Sequence, residues 1–207
     1  MIAHLHYITQ PIHGKSHAEL AEEACKGGAE WVQFRAKSLG FEEWKQEALL
    51  VQEVCKKYNA RLIINDNVKI AEEIYADGVH LGKNDMDADK AKKILGEDFI
   101  VGGTANSYED VMRLVEWGVD YIGLGPFRYT KTKENLSPIL GLEGYLNLMQ
   151  VLRSKKVQVP VIAIGGVTLD DVEKLLACGV HGVAVSGAIN KAESPSHVTK
   201  KFIEQLN

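Results

Sequence analysis

The sequence predicts a single (β/α)8 barrel of the TIM type spanning residues 1–207. Three observations carry that expectation. Short apolar, β-branched runs alternate with longer segments of helical period along the whole chain, the pattern of parallel strands joined by helical crossovers. The alternation completes eight units. Three helices also end in the same kind of small-residue turn before a strand, at Gly27-Gly28, Gly118-Val119-Asp120 and Gly179-Val180-His181, as one βα unit repeated around a ring requires.

Taken in order, residues 4–9 read as a first strand, followed by a turn around Pro11 and Gly14 and a helix over 17–26 that Gly27-Gly28 stops. Residues 31–35 form the second strand and 41–58 a long amphipathic helix. Strand three covers 61–65, a short helix 68–76, and strand four 78–81, before a polar turn over 82–87 and a helix over 88–95. Strand five covers 99–103, and the helix over 107–117 begins at Ser107 as N-cap, with Asp110 near the capping-box position. Strand six covers 121–123, a helix 142–153, strand seven 161–164, a helix 169–178, strand eight 182–185, and a last helix 196–206.

Composition narrows the function. With 28 acidic against 24 basic residues the chain has no excess of positive charge for nucleic acid or an anionic membrane surface, so any anion site must be local. Cys25, Cys55 and Cys178 are odd in number, widely spaced and set in helical patterns, which suits packed thiols rather than disulfides or a metal cluster. No signal pattern opens the chain and no run reaches the length of a membrane span, so a cytoplasmic protein is expected.

In such a barrel, chemistry gathers at the carboxyl ends of the strands. Polar or glycine residues follow nearly every strand here. Gln33, Arg35 and Lys37 alternate with Val32 and Phe34, which puts all three on one face at the exit of strand two. Arg35 offers a planar fork for phosphate oxygens, Lys37 a mobile charge, and Gln33 a donor and an acceptor for a heterocycle. Asn65-Asp66 and Asp85 lie just past strands three and four. Hard oxygens from two loops, completed by a substrate phosphate, are a common way to hold Mg2+, so Asp66 and Asp85 are the metal candidates; the alternative is a capping or turn role. Asp87 suits a helix cap better than a metal.

The run from Gly123 to Lys133 begins as an apolar strand end and becomes a loop crowded with hydroxyls and cations, in which Thr130, Thr132 and Lys133 suit phosphate; a plain solvated loop is the other reading. Ile164-Gly165-Gly166 and Ser186-Gly187-Ala188 occupy the positions after strands seven and eight, where barrels bind phosphate through backbone amides, although Gly166 also suits a tight turn. Thr104 supplies a hydroxyl after strand five. His80, at the end of strand four, is placed to touch a ligand, whereas His4 and His6 share a strand face and suit barrel packing better than metal.

Five motifs together resemble the thiamine-phosphate synthase (thiamine-phosphate pyrophosphorylase) family, which has thiazole tautomerase relatives. They are Gln33-Phe34-Arg35-Ala36-Lys37, Ile64-Asn65-Asp66-Asn67, Gly78-Val79-His80-Leu81-Gly82 with Asp85, Gly123-Leu124-Gly125-Pro126 through Thr130-x-Thr132-Lys133, and Ala163-Ile164-Gly165-Gly166-Val167. The resemblance covers nearly the whole chain. It implies a transferase that joins hydroxymethylpyrimidine diphosphate to hydroxyethylthiazole phosphate and releases pyrophosphate, acting on small molecules with Mg2+. By matching position, it implies that Gln33 and His80 seat the pyrimidine, and that Arg35, Lys37, Asn65 and Lys133 hold the diphosphate, with Thr104 beside it. It likewise implies that Asp66 and Asp85 bind the metal and that Thr130, Thr132, Gly166, Ser186 and Gly187 hold the thiazole phosphate.

The chain departs from the family pattern in three places. Gly102-Gly103-Thr104-Ala105-Asn106 stands where the family usually has Gly-x-Ser-x-His, Lys83 stands where it often has Gln, and the last signature reads Val185-Ser186-Gly187-Ala188. The rival readings are a thiazole tautomerase, which needs an acid/base residue and no diphosphate site, a non-catalytic barrel that senses thiamine precursors, and another phosphate-binding barrel enzyme.

Overall fold

The computed structural model describes residues 1–10, 12, 14–36, 39–130 and 137–207. Among them, eight parallel strands pair in sequence order and the last closes on the first, giving the (β/α)8 barrel expected. The strands are β1 Leu5–Ile8, β2 Trp31–Phe34, β3 Arg61–Asn65, β4 Gly78–Leu81, β5 Ile100–Ala105, β6 Tyr121–Leu124, β7 Val161–Ile164 and β8 Gly182–Val185. The helices are α1 His17–Lys26, α2 Phe41–Tyr58, α3 Val68–Glu73, α4 Ala88–Leu95, α5 Tyr108–Glu116, α6 Gly141–Ser154, α7 Val172–Cys178, α8 Gly187–Asn190 and α9 Pro195–Leu206.

Two-residue alternation along each strand builds two separate apolar layers. Ile8, Trp31, Ile63, Tyr121, Ile162 and Ala184 fill the barrel interior. Their neighbours, among them Tyr7, Val32, Phe34, Ile64, Val79, Ile122 and Val183, face the helices in the larger core. The cysteines are free and buried in that outer layer, as expected. Among the described residues no helix is long and apolar enough to cross a membrane.

Several boundaries differ from expectation for local reasons. β5 continues to Ala105, because its ladder with β6 runs on through Thr104↔Gly123 and Ala105↔Leu124, so Thr104 lies within a strand. α3 stops at Glu73, and Tyr75 takes a left-handed φ of 50° before the next strand. The segment before α7 opens as a 3-10 turn over Leu169–Asp171, closed by a capping box between Thr168 and Asp171. α8 is an additional short helix. Ser107 does cap α5, but the Asp110 carboxylate accepts from Asn106 N at 3.0 Å instead of closing a capping box. Asp87 stands at the N-cap position of α4 without a side-chain cap bond, its carboxylate turned to Lys90 at 2.6 Å. His4 precedes β1, is exposed and meets His181 edge-on, so of these two histidines His6 alone is in the barrel. In the expected turn before α1, Gly14 has φ 79° beside an Ile12–Lys15 bridge, while Pro11 lies outside the described residues.

Candidate active site

The floor of the site is aromatic. His6 stacks on Trp31 with ring centroids 4.2 Å apart and meets the Tyr121 ring at 4.9 Å. Burial, reinforced by neighbouring His80, holds the His6 pKa well below the usual range, so this imidazole is neutral. The Tyr121 ring lies over its register partner on the neighbouring strand β5, where a Cβ on Gly102 would lie 2.2 Å from its Cζ, a separation only glycine permits.

From that floor rises a polar layer. The Tyr121 hydroxyl lies 2.9 Å from His80 Nδ1, and Thr104 Oγ1 lies 3.0 Å from His80 Nε2. Burial pushes the Tyr121 phenol far up, so its hydroxyl stays protonated. Both flanking hydroxyls can donate or accept, so either neutral tautomer of His80 is satisfied. Beside His80, whose register partner is Asn65 on the adjacent strand, buried Gln33 donates through Nε2 to Asn65 Oδ1 at 2.6 Å. By their chemistry the two amides still have an acceptor on Gln33 and donors on Asn65, a set that suits an aminopyrimidine or a phosphate oxygen.

Arg35 follows β2 and its backbone is fixed from below. Arg35 N donates to Thr9 Oγ1 at 3.1 Å, and Thr9 Oγ1 lies 2.7 Å from His17 Nδ1. Burial lowers the His17 pKa to about 4, so near neutrality its Nδ1 can accept the Thr9 proton.

The two candidate metal ligands come together. Asp66 adopts the left-handed region at φ 66°, with its N–H on His80 O at 2.8 Å, so the chain turns sharply where β3 ends. Asp85 Oδ2 accepts from Gly82 N at 2.6 Å. A Cβ on Gly82 would stand 2.8 Å from Asp85 Oδ2 and 4.0 Å from Asp66 Oδ1, so glycine keeps open a cradle between two carboxylates. Two hard oxygen donors at one mouth fit a divalent cation whose remaining ligands are waters and phosphate oxygens. A cleft of about 310 Å³ adjoins it, lined by Gly82, Asp85 and Thr104 among others.

The exits of β6, β7 and β8 complete the rim. Phe127 N and Arg128 N donate to Ile164 O and Gly165 O at 2.8 and 2.9 Å, so the chain after β6 runs beside the glycine turn after β7. Gly165 and Gly166 have φ of 98° and 71°, and a Cβ on Gly166 would meet Arg128 Cγ at 2.4 Å, so both backbone conformation and close approach require glycine. Thr130 follows two residues beyond Arg128. Ser186 Oγ accepts from Asn190 Nδ2 at 3.1 Å, while Asn190 Oδ1 takes the Tyr7 hydroxyl, which ties Gly187 and the start of α8 to β1. Lys37, Thr132 and Lys133 lie outside the described residues.

A family profile described as thiamine monophosphate synthase matches residues 5–189 of this chain. The chain belongs to this family. It is 45% identical to the thiamine-phosphate synthase of Bacteroides thetaiotaomicron over 96% of this chain and 95% of the relative, and 46% identical to that of Flavobacterium johnsoniae over 98% and 94%. Among solved structures, thiamine phosphate pyrophosphorylase from Pyrococcus furiosus superposes with a TM-score of 0.85 at 30% identity, covering 98% of this chain and 94% of the other.

The departures from the synthase pattern have structural partners. Asn106 donates through Nδ2 to Gly125 O and accepts from Ser137 Oγ at 2.8 Å, so it bridges the two ends of the loop after β6. Lys83 pairs with Asp110 at 2.7 Å, which places its charge on α5. Burial opposes ionisation of Asp110, but Lys83 and the Asn106 N–H hold its carboxyl below the usual range. Sequence reasoning missed Tyr121, Thr9, His17 and the Arg128–Asp171 pair. The two-residue phase linking Tyr121 to Gly123 marks Tyr121 as interior, and Thr168-x-x-Asp171 is a capping-box spacing; the partners of Thr9 and Arg128 carry no local signal.

Proposed function

We propose that this chain is a thiamine-phosphate synthase that joins 4-amino-2-methyl-5-hydroxymethylpyrimidine diphosphate to hydroxyethylthiazole phosphate, with thiamine phosphate and pyrophosphate as products. The observation that supports it most directly is the juxtaposition of two carboxylates around Gly82 with the Gln33–Asn65 and His80–Thr104 pairs at one barrel mouth. A diphosphate-leaving reaction needs hydrogen bonds for the ring and positive charge for the departing group, and the two carboxylates would supply the second by holding a divalent cation.

In this reading the bond between the pyrimidinylmethyl carbon and the diphosphate oxygen breaks with its electron pair on oxygen. The electron-rich pyrimidine stabilises the resulting cation, and the thiazole nitrogen lone pair forms the new C–N bond. Gln33 and His80 orient the pyrimidine; Arg35, Lys37, Asn65, Thr104 and Lys133 hold the diphosphate; Thr130, Thr132, Gly166, Ser186 and Gly187 hold the acceptor phosphate. Asp66 and Asp85 would hold Mg2+, which when bound neutralises charge on the leaving diphosphate. No strong protein base is needed, since the attacking nitrogen carries no proton. The enzyme acts on small molecules in the cytoplasm, without a nucleic-acid or membrane partner, in keeping with its mild net charge of -4.

Purified protein supplied with Mg2+ and both precursors should release pyrophosphate and thiamine phosphate, and Asp66→Ala or Lys133→Ala should remove most of that activity. Tight binding of a precursor without product would favour a sensor, and metal-independent isomerisation of a thiazole carboxylate would favour a tautomerase.

A further inference from the structure

Resting on that functional reading, we infer that Arg128 and Asp171 are positioning residues that seat the backbone entering Thr130 against Gly166, and thereby set affinity for the phosphate of the thiazole substrate. The anchor is Asp171, whose side chain is 6% exposed. Its Oδ2 accepts from Thr168 N at 2.8 Å and Thr168 Oγ1 at 2.7 Å, so the carboxylate is fixed to the turn after β7 before any cation arrives. Arg128 meets it with a two-pronged fork, Nη1 to Oδ2 at 2.6 Å and Nη2 to Oδ1 at 2.7 Å, and the same Nη1 donates to Gly166 O at 2.9 Å. Burial works against ionisation of Asp171, yet Arg128 and Thr168 hold its carboxyl below the usual range. Planar, charge-assisted pairs of this kind impose geometry as well as attraction.

The consequence falls on Gly166. A Cβ there would lie 2.4 Å from Arg128 Cγ and 3.1 Å from Tyr129 O, so the pair holds the chain entering Thr130 in direct contact with the Gly166 backbone. In the proposed site those two positions share one phosphate. Both prongs of the guanidinium are engaged by protein oxygens, so Arg128 shapes the site rather than contacting the ligand.

Steady-state kinetics on the full chain test this, with Arg128→Met, Arg128→Lys, Asp171→Asn and the double variant Arg128→Met/Asp171→Asn. We expect KM for the thiazole phosphate to rise roughly tenfold in Arg128→Met and Asp171→Asn, with KM for the pyrimidine diphosphate and kcat within about threefold of wild type. The double variant should be no worse than the poorer single one, since the two residues act as a unit. Arg128→Lys should recover part of the loss. Circular dichroism melts report folding, and if Asp171→Asn loses its turn, the half-exposed Arg128 still provides the test. An unchanged acceptor KM in folded variants overturns the inference, and so does a parallel loss in both KM values and kcat. A fall in acceptor KM for Asp171→Asn would also overturn it, because a released Arg128 would then be binding phosphate itself. A wild type without turnover removes the functional reading, whereas an active wild type with unaffected variants removes only this inference.

Discussion

Gly82→Ala is the most selective perturbation of the proposed metal site. Gly82 lies outside the left-handed region, so alanine introduces no backbone strain there. Its new methyl would instead stand 2.8 Å from Asp85 Oδ2, closer than a carbon and an oxygen tolerate. The clashing atom is the free end of a rotatable carboxylate, so the fold can yield by swinging Asp85 aside. That movement breaks the 2.6 Å bond from Gly82 N and places a methyl 4.0 Å from Asp66 Oδ1, inside the cradle. A charge-assisted bond of this kind is worth about 1.5 kcal/mol where water can replace it, so the melting temperature should fall by only about 3–6 °C. A binding loss of similar size corresponds to about a tenfold higher Mg2+ concentration for half-maximal pyrophosphate release. Titration calorimetry with Mg2+ in the presence of pyrophosphate provides a readout independent of turnover. A folded Gly82→Ala protein whose metal titration and activity both match wild type would refute the carboxylate cradle.

Three further outcomes follow from named contacts. His17 is held near pKa 4 in the folded chain, below its ordinary 6.5, so the unfolded chain takes up its proton first on acidification. Its stabilising effect is therefore complete above pH 6.5 and declines as pH falls towards 4, by on the order of 2–3 kcal/mol; urea melts should show a shallower acid dependence for His17→Asn, and parallel curves would contradict this. Gly102→Ala drives a methyl into the Tyr121 ring at 2.2 Å and should cost about 3 kcal/mol or prevent folding, whereas Gly40→Ala, with open space around it, should stay within about 1 kcal/mol; equal melting temperatures would disprove the close approach. Tyr121→Phe removes the hydroxyl 2.9 Å from His80 Nδ1, and kcat/KM for the pyrimidine diphosphate should fall about tenfold with the acceptor KM little changed. An unaltered value would show that Thr104 alone suffices to orient His80.

The repeating βα pattern, the strand phases and the polar residues at strand exits are local properties, and the chain order alone determined them. Each of these signals is local to one strand, so Gln33, Asn65 and His80 were legible at the ends of strands two, three and four, and Thr104 just past strand five, before any pairing was known. Helix α2 and strand β4 follow their expected bounds for the same reason. What the chain order does not encode locally is which of those positions meet. Gln33 finds Asn65, and His80 finds Tyr121 and Thr104, because closure of the barrel sets strand register around a ring. The same closure brings Asp66 towards Asp85 across Gly82, sets Thr9 beneath Arg35, and turns Arg128 from an unremarked cation in a phosphate-like loop into the partner of an aspartate 43 residues away. Such contacts are made by backbone geometry far apart in sequence, and only the tertiary structure decided them.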